Sequence, residues 1–228
     1  MTDISRNILT FHQQLVSDKN HRYLSWEHCF LYFQNRNSFS TEKEIDTASL
    51  HLAFYLASWG MYRGSSFLLW KDYKIHVPAV EELLNKKYSP LWQLDFDLLH
   101  NDSQEISLLF ELTDSLKEIY KKSVGMINGK SRLVNPTDTL ITKIILGTMG
   151  CAPAYDRYFI DGVRYLKKPF SSFNKSAYGK LLDFYRQNSK EILNTQRDIA
   201  KSGITYPIMK LIDMYFWNIG FKIDMRMS

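Results

Sequence analysis

Apolar positions recur along this chain at spacings of three and four almost everywhere, the period of an α-helix with one buried face. From Glu42, the residues Ile45, Ala48, Leu52, Leu56 and Trp59 follow that spacing, and Thr41 with Glu44 three residues on has the form of a capping box. From Asp102, the set Ile106, Leu109, Phe110, Leu116 and Tyr120 repeats it. Lys117, Lys121 and Lys122 fall near the end of that helix, where cations oppose its dipole, and Gly125 stops it. Pro136 is expected to open a further helix at its first turn, with Leu140, Ile141, Ile144 and Ile145 buried. Residues 177–200 read as a long helix rich in charge, and Pro207 starts a last one carrying Ile208, Leu211, Ile212, Tyr215, Phe216 and Ile219. Alternating β-branched runs are nearly absent. The one candidate hairpin is the stretch 124–134, with Asn128-Gly129 in its middle.

The pattern predicts an all-α fold of two packed helical lobes. No repeat at a fixed period argues for a solenoid. The polar stretch 35–40 and the glycine-bearing stretch 125–132 are the internal boundaries, each short for a linker. Residues 1–228 are therefore expected to form a single globular domain, with possible lobes 1–124 and 125–228.

Composition narrows the class. Hydrophobic residues make up 45% of the chain and aromatics 14%, so a well-filled core is expected and disorder is not. Cys29 and Cys151 have no metal-ligand spacing and sit in apolar stretches, which predicts unpaired, buried thiols in a reducing, cytoplasmic setting. No apolar run reaches the ~20 residues needed to span a bilayer, and the N-terminal stretch lacks an apolar leader core. Net charge is +5 with a pI near 9.0, mildly favourable for nucleic acid. Walker, dinucleotide-binding, HExxH, paired CxxC and GxSxG signatures are all missing, and the six histidines keep no ligand spacing. No metal or organic cofactor is expected.

The segment 141–163, ITKIILGTMGCAPAYDRYFIDGV, is the most unusual. Gly147 and Gly150 are expected in an exposed turn that ends one helix. Pro153 would then restart a helix with Asp156 in its first turn, where the dipole favours a carboxylate and outward N–H groups cradle an anion. An ordinary helix–Gly–Pro–helix joint with a capping Asp explains the same residues. The order of a helix bearing Thr142-Lys143, a glycine-bearing turn, and Pro153-Ala154-Tyr155-Asp156-Arg157 resembles the helix-hairpin-helix DNA glycosylase superfamily. Two residues separate Gly147 from Gly150, where that family's hairpin has one. The resemblance implies a hairpin that grips a DNA phosphate and an essential carboxylate, matched here by Asp156. It implies release of a damaged or hypermodified base from double-stranded DNA by a monomer, with an abasic site as product; a phage-type modified base would suit anti-phage defence.

A second segment, YLASWGMYRGSS at 55–66, is dense in glycine and aromatics and is similar to a segment of uncharacterised bacterial and phage-associated proteins. Trp59, Tyr62 and Tyr155 are the expected base pocket, with stacking on an extruded base, and Arg63 a phosphate or base-edge contact. A helix end closed by Gly60 and packed by Trp59 is the simpler account. Arg157, Arg164, Lys167 and Lys168 are expected along a DNA backbone with Gly147 and Gly150, and Lys121, Lys122, Lys130 and Arg132 make the upstream flank positive. Two other readings stay open: a non-catalytic helical module that binds nucleic acid or protein through the same basic surface, and a plain helical interaction protein.

Overall fold

The computed structural model describes residues 3–39, 41–127, 129–131 and 133–227, so Ser40, Asn128 and Arg132 of the expected boundaries, hairpin and basic flank lie outside the described residues. The protein is predominantly helical, with helices α1 Ile4–Val16, α2 Ser25–Gln34, α3 Glu42–Ser58, α4 Val77–Leu83, α5 Gln104–Ser123, α6 Asp138–Thr148, α7 Arg157–Tyr165, α8 Lys175–Ala200 and α9 Ile208–Met227. A two-residue hairpin, β1 Met126–Ile127 and β2 Lys130–Ser131, pairs antiparallel inside the stretch read as a hairpin. Thr41 and Glu44 form the complete capping box. Pro136 lies outside the helix it is expected to open, two residues before its first residue: Thr137 is the N-cap of α6 and its side chain accepts from Leu140 N–H.

The chain divides into two compact units, and neither is a continuous stretch cut near residue 124. The first comprises residues 1–21, 94–107 and 150–228, and the second residues 22–93 and 108–149. In the first unit α1 packs on α8 and α9. Ser5 N–H donates to Glu191 Oε1 at 2.8 Å, and Asn218 Nδ2 donates to Asn7 O at 3.0 Å. Phe11 meets Trp217 edge to face, with ring centroids 5.2 Å apart. Helices α7 and α9 approach until backbone meets backbone. A Cβ added at Gly162 would stand 2.0 Å from Phe216 O, and one at Gly220 would stand 2.0 Å from Tyr158 O.

In the second unit, side chains of α2 and α3 reach the C-terminal half of α6. Trp26 Nε1 donates to Leu146 O at 3.1 Å, Gln34 Nε2 to Thr148 O at 3.2 Å and Tyr55 Oη to Lys143 O at 3.2 Å. The bonds to Leu146 O and Thr148 O satisfy carbonyls at the helix end that would otherwise be costly to bury, and the Tyr55 hydroxyl adds a second bond to a carbonyl inside the helix. Both cysteines are free and buried. Burial pushes the Cys151 thiol up to about 12 and the Cys29 thiol higher still.

Among the described residues no helix is long and apolar enough to cross a membrane. Gly162→Ala and Gly220→Ala should each destabilise the protein by about 1–3 kcal/mol or more, since overpacking against rigid backbone has no side chain to move aside. Thermal unfolding followed by circular dichroism checks this; unchanged midpoints would mean that α7 and α9 separate without cost.

Candidate functional site

The segment read as a phosphate-gripping hairpin is built differently. Gly147 lies inside α6 and is buried, not in an exposed turn. It makes room for a ring, because a Cβ there would come 2.4 Å from Tyr55 Cε1. Gly150 does take positive φ, +69°, and α6 does end at Thr148, yet Gly150 is buried as well. Pro153 does not restart a helix. Residues 150–155 run without helix and buried through the first unit. Tyr178 Oη donates to Cys151 O at 2.7 Å, and the buried Asp213 carboxylate accepts from Ala154 N–H at 3.1 Å. Asp213 is also paired with buried Lys210 at 3.1 Å.

Asp156 is the N-cap of α7 rather than a member of its first turn. It is half-buried, and its Oδ1 accepts from Phe159 N–H at 3.1 Å. Tyr155 beside it is a core residue, 2% exposed, packed against Phe159 and Phe173, so its ring has no open face for a base. Of the expected DNA-binding cations, Arg157 is exposed but engaged: its Nη2 lies 2.7 Å from Asp224 Oδ2 and its guanidinium covers the Tyr158 ring. Lys168 is half-buried with its ammonium over Phe184. Arg164 and Lys167 are exposed, and among the described residues neither has a carboxylate partner.

Lys167 also adopts a left-handed conformation, φ +52°, and is the only described residue other than glycine to do so. Its N–H donates to Arg164 O and that of Lys168 to Val163 O, the two bonds of a Schellman closure in which glycine is the usual occupant.

Trp59, Tyr62 and Arg63 belong to the second unit, and Asp156 to the first. Trp59 is half-buried, stacked on Tyr23 at 4.3 Å, with the Lys143 ammonium 5.1 Å from its ring. Tyr62 is tied down by a hydrogen-bond chain that the sequence reading missed: its Oη lies 2.7 Å from His76 Nε2, and His76 Nδ1 lies 2.6 Å from Tyr120 Oη. A neutral imidazole has one donor and one acceptor, so it donates to one tyrosine and accepts from the other. Burial pushes His76 down to about 3, and burial followed by the nearby Asp72 charge pushes Tyr62 up to about 12. Arg63 opens onto a cavity, which it shares with Phe67 and Trp70, aromatics that the sequence reading passed over.

Among the described residues no group of three or more His, Cys, Asp or Glu side chains could hold a metal ion. No family model matches this chain, and neither curated proteins nor solved structures include a match to it.

The folded protein refuses at His76 a proton that the unfolded chain accepts below its ordinary value near 6.5. Between that value and about 3 the unfolded state binds more protons, so this group's contribution to stability falls as pH drops through the window, on the order of a kcal/mol per pH unit. The stability difference between the wild type and His76→Gln should therefore be largest at pH 7 and shrink toward pH 4 in urea titrations. A constant difference would mean that His76 is not held neutral. Lys167→Gly should stabilise the protein by roughly 1 kcal/mol, because glycine escapes the left-handed penalty; an unchanged or lowered melting temperature would mean that the lysine side chain compensates for the strain.

Proposed function

We propose that this protein binds double-stranded DNA and hydrolyses the N-glycosidic bond of a damaged or hypermodified base, leaving an abasic site. The reading is carried by one observation: α7 holds a carboxylate at its N-terminus, Asp156, and two exposed cations at its other end, Arg164 and Lys167, that have no carboxylate partner among the described residues. Arg164 lies eight steps along the chain from Asp156, roughly 12 Å at 1.5 Å per residue of helix. A rigid element thus carries both the charged acid and the phosphate anchors, as a preorganised site requires.

Asp156, its charge favoured by the helix dipole and its orientation fixed by Phe159 N–H, would stabilise the oxocarbenium-like sugar or orient the attacking water after the base leaves the stack. Arg164 and Lys167 would hold the DNA backbone. A hypermodified phage base as substrate would make the activity one of antiviral defence.

A second reading is a non-catalytic helical module that binds nucleic acid or protein. It is favoured by the capping bond of Asp156 and by the burial of Gly147 and Gly150, which denies a phosphate the hairpin grip.

Asp156→Asn separates the two. Asparagine caps a helix about as well as aspartate, so the variant keeps its fold while losing the charge. Base release from duplexes carrying single damaged bases, or from phage DNA with modified bases, should drop by about a hundredfold or more, with DNA affinity nearly unchanged. Release at the wild-type rate, or no release by the wild type from any of these substrates, would leave the binding module.

A further inference from the structure

We propose that the second unit contains a nucleotide pocket, built from Arg63, Phe67 and Trp70, that takes one flat ring together with its phosphate. The cavity has a volume of about 590 Å³, within the range of small-molecule sites. Its interior is apolar where Leu140 of α6 lines it, and polar where Ser65 and Asn135 do.

Three features specify the ligand. The first is aromatic surface left open: Trp70 is 55% exposed at a cavity wall. With Phe67, half-buried on the same wall, it offers flat faces suited to a ring. The second is a cation without an anion. Arg63 is exposed at the cavity, and among the described residues no carboxylate or hydrogen-bond partner engages its guanidinium.

The third is the seat of that arginine. Gly60 adopts φ +78°, a conformation that favours glycine, and the Arg63 guanidinium lies over it, its Nε 3.0 Å from where a Cβ would stand. Between them, Tyr62 is fixed through His76 to buried Tyr120, which anchors the turn that presents the arginine. A neutral lipid would leave the guanidinium and the polar rim unpaired, and a neutral sugar would leave the cation without a counter-charge. A nucleoside monophosphate unit satisfies all three features, the base on the aromatic wall and the phosphate on the arginine fork. The unit could be a free nucleotide or an exposed nucleotide of a DNA strand; the recognition chemistry is the same. The pocket does not depend on bond cleavage at Asp156.

Isothermal titration calorimetry on the full chain tests this with three probes: the four deoxynucleoside monophosphates, the matching nucleosides, and a short single-stranded oligonucleotide. Saturable binding of a monophosphate or of the oligonucleotide is expected. Arg63→Met should weaken it about tenfold or more, the loss of a charge-assisted hydrogen bond, and Trp70→Ala should weaken it as well. Nucleosides should bind more weakly and ignore Arg63→Met. Binding of the free monophosphate identifies a nucleotide site; binding of the oligonucleotide alone identifies a strand site.

Both substituted side chains are exposed, and unchanged circular-dichroism melts confirm that the variants fold. Absence of saturable binding for both phosphate-bearing probes, or equal affinity in Arg63→Met, overturns the proposal. Asp156→Asn should bind these probes as the wild type does, so failure of the cleavage reading and failure of the pocket are told apart.

Discussion

The packing of the first unit depends on a contact that only glycine permits. At Gly162 and Gly220 the backbones of α7 and α9 meet without side chains between them, each glycine facing a carbonyl of the other helix. Interiors are dense and transmit strain, so such a contact fixes the relative position of two helices more firmly than a layer of flexible side chains would. Everything α7 carries inherits that position: Asp156 at its start, Arg164 in its last turn and strained Lys167 just beyond. The aromatic cluster of Phe159, Phe170, Phe184 and Phe216 then packs around the same crossing.

Polar groups in this interior are used to hold chain that has no regular structure. Residues 150–155 pass through the core without helix or strand partners, and buried backbone left unpaired is costly. Tyr178 of α8 and Asp213 of α9 supply partners for Cys151 and Ala154. Lys210 balances the Asp213 charge, since an isolated buried carboxylate would be strongly destabilising. In the second unit the Tyr62–His76–Tyr120 chain does the same for a turn, with an imidazole kept neutral by burial. Both devices join residues far apart in sequence.

That distance explains what was and was not legible in the sequence. Period and capping are local, so the all-helical class, the Thr41–Glu44 box, α5, α8, α9 and the small hairpin could be read directly. The same period in Ile4, Ile8, Phe11 and Leu15 marks α1 equally well. Gly147 misled because a glycine that admits a ring and a glycine that turns the chain look alike; its apolar neighbours Ile144, Ile145 and Leu146 are the signal that it lies on a packed helix. Pro153 misled because proline suits a buried extended run as well as a helix start. Asp156 is legible as an N-terminal carboxylate, but that it is the N-cap and half-buried, rather than a member of the first turn, is not encoded in any local pattern. The cavity beside Arg63 brings together residues from 60–70 and 127–140, and only the folded chain puts them side by side.

The interleaving of the two units has a consequence for biosynthesis. All residues of the second unit have been made once position 149 is reached, whereas the first needs α9, complete at Met227, 78 residues later. At typical elongation rates of about 5–20 residues per second, that gap lasts roughly 4–16 s. Until α8 is complete at Ala200, α1 carries its apolar stripe of Ile4, Ile8, Phe11 and Leu15 without either of the helices that bury it, and α9 follows only after that. The nascent chain therefore carries an amphipathic segment with an uncovered apolar face for seconds, whatever the stability of the finished fold.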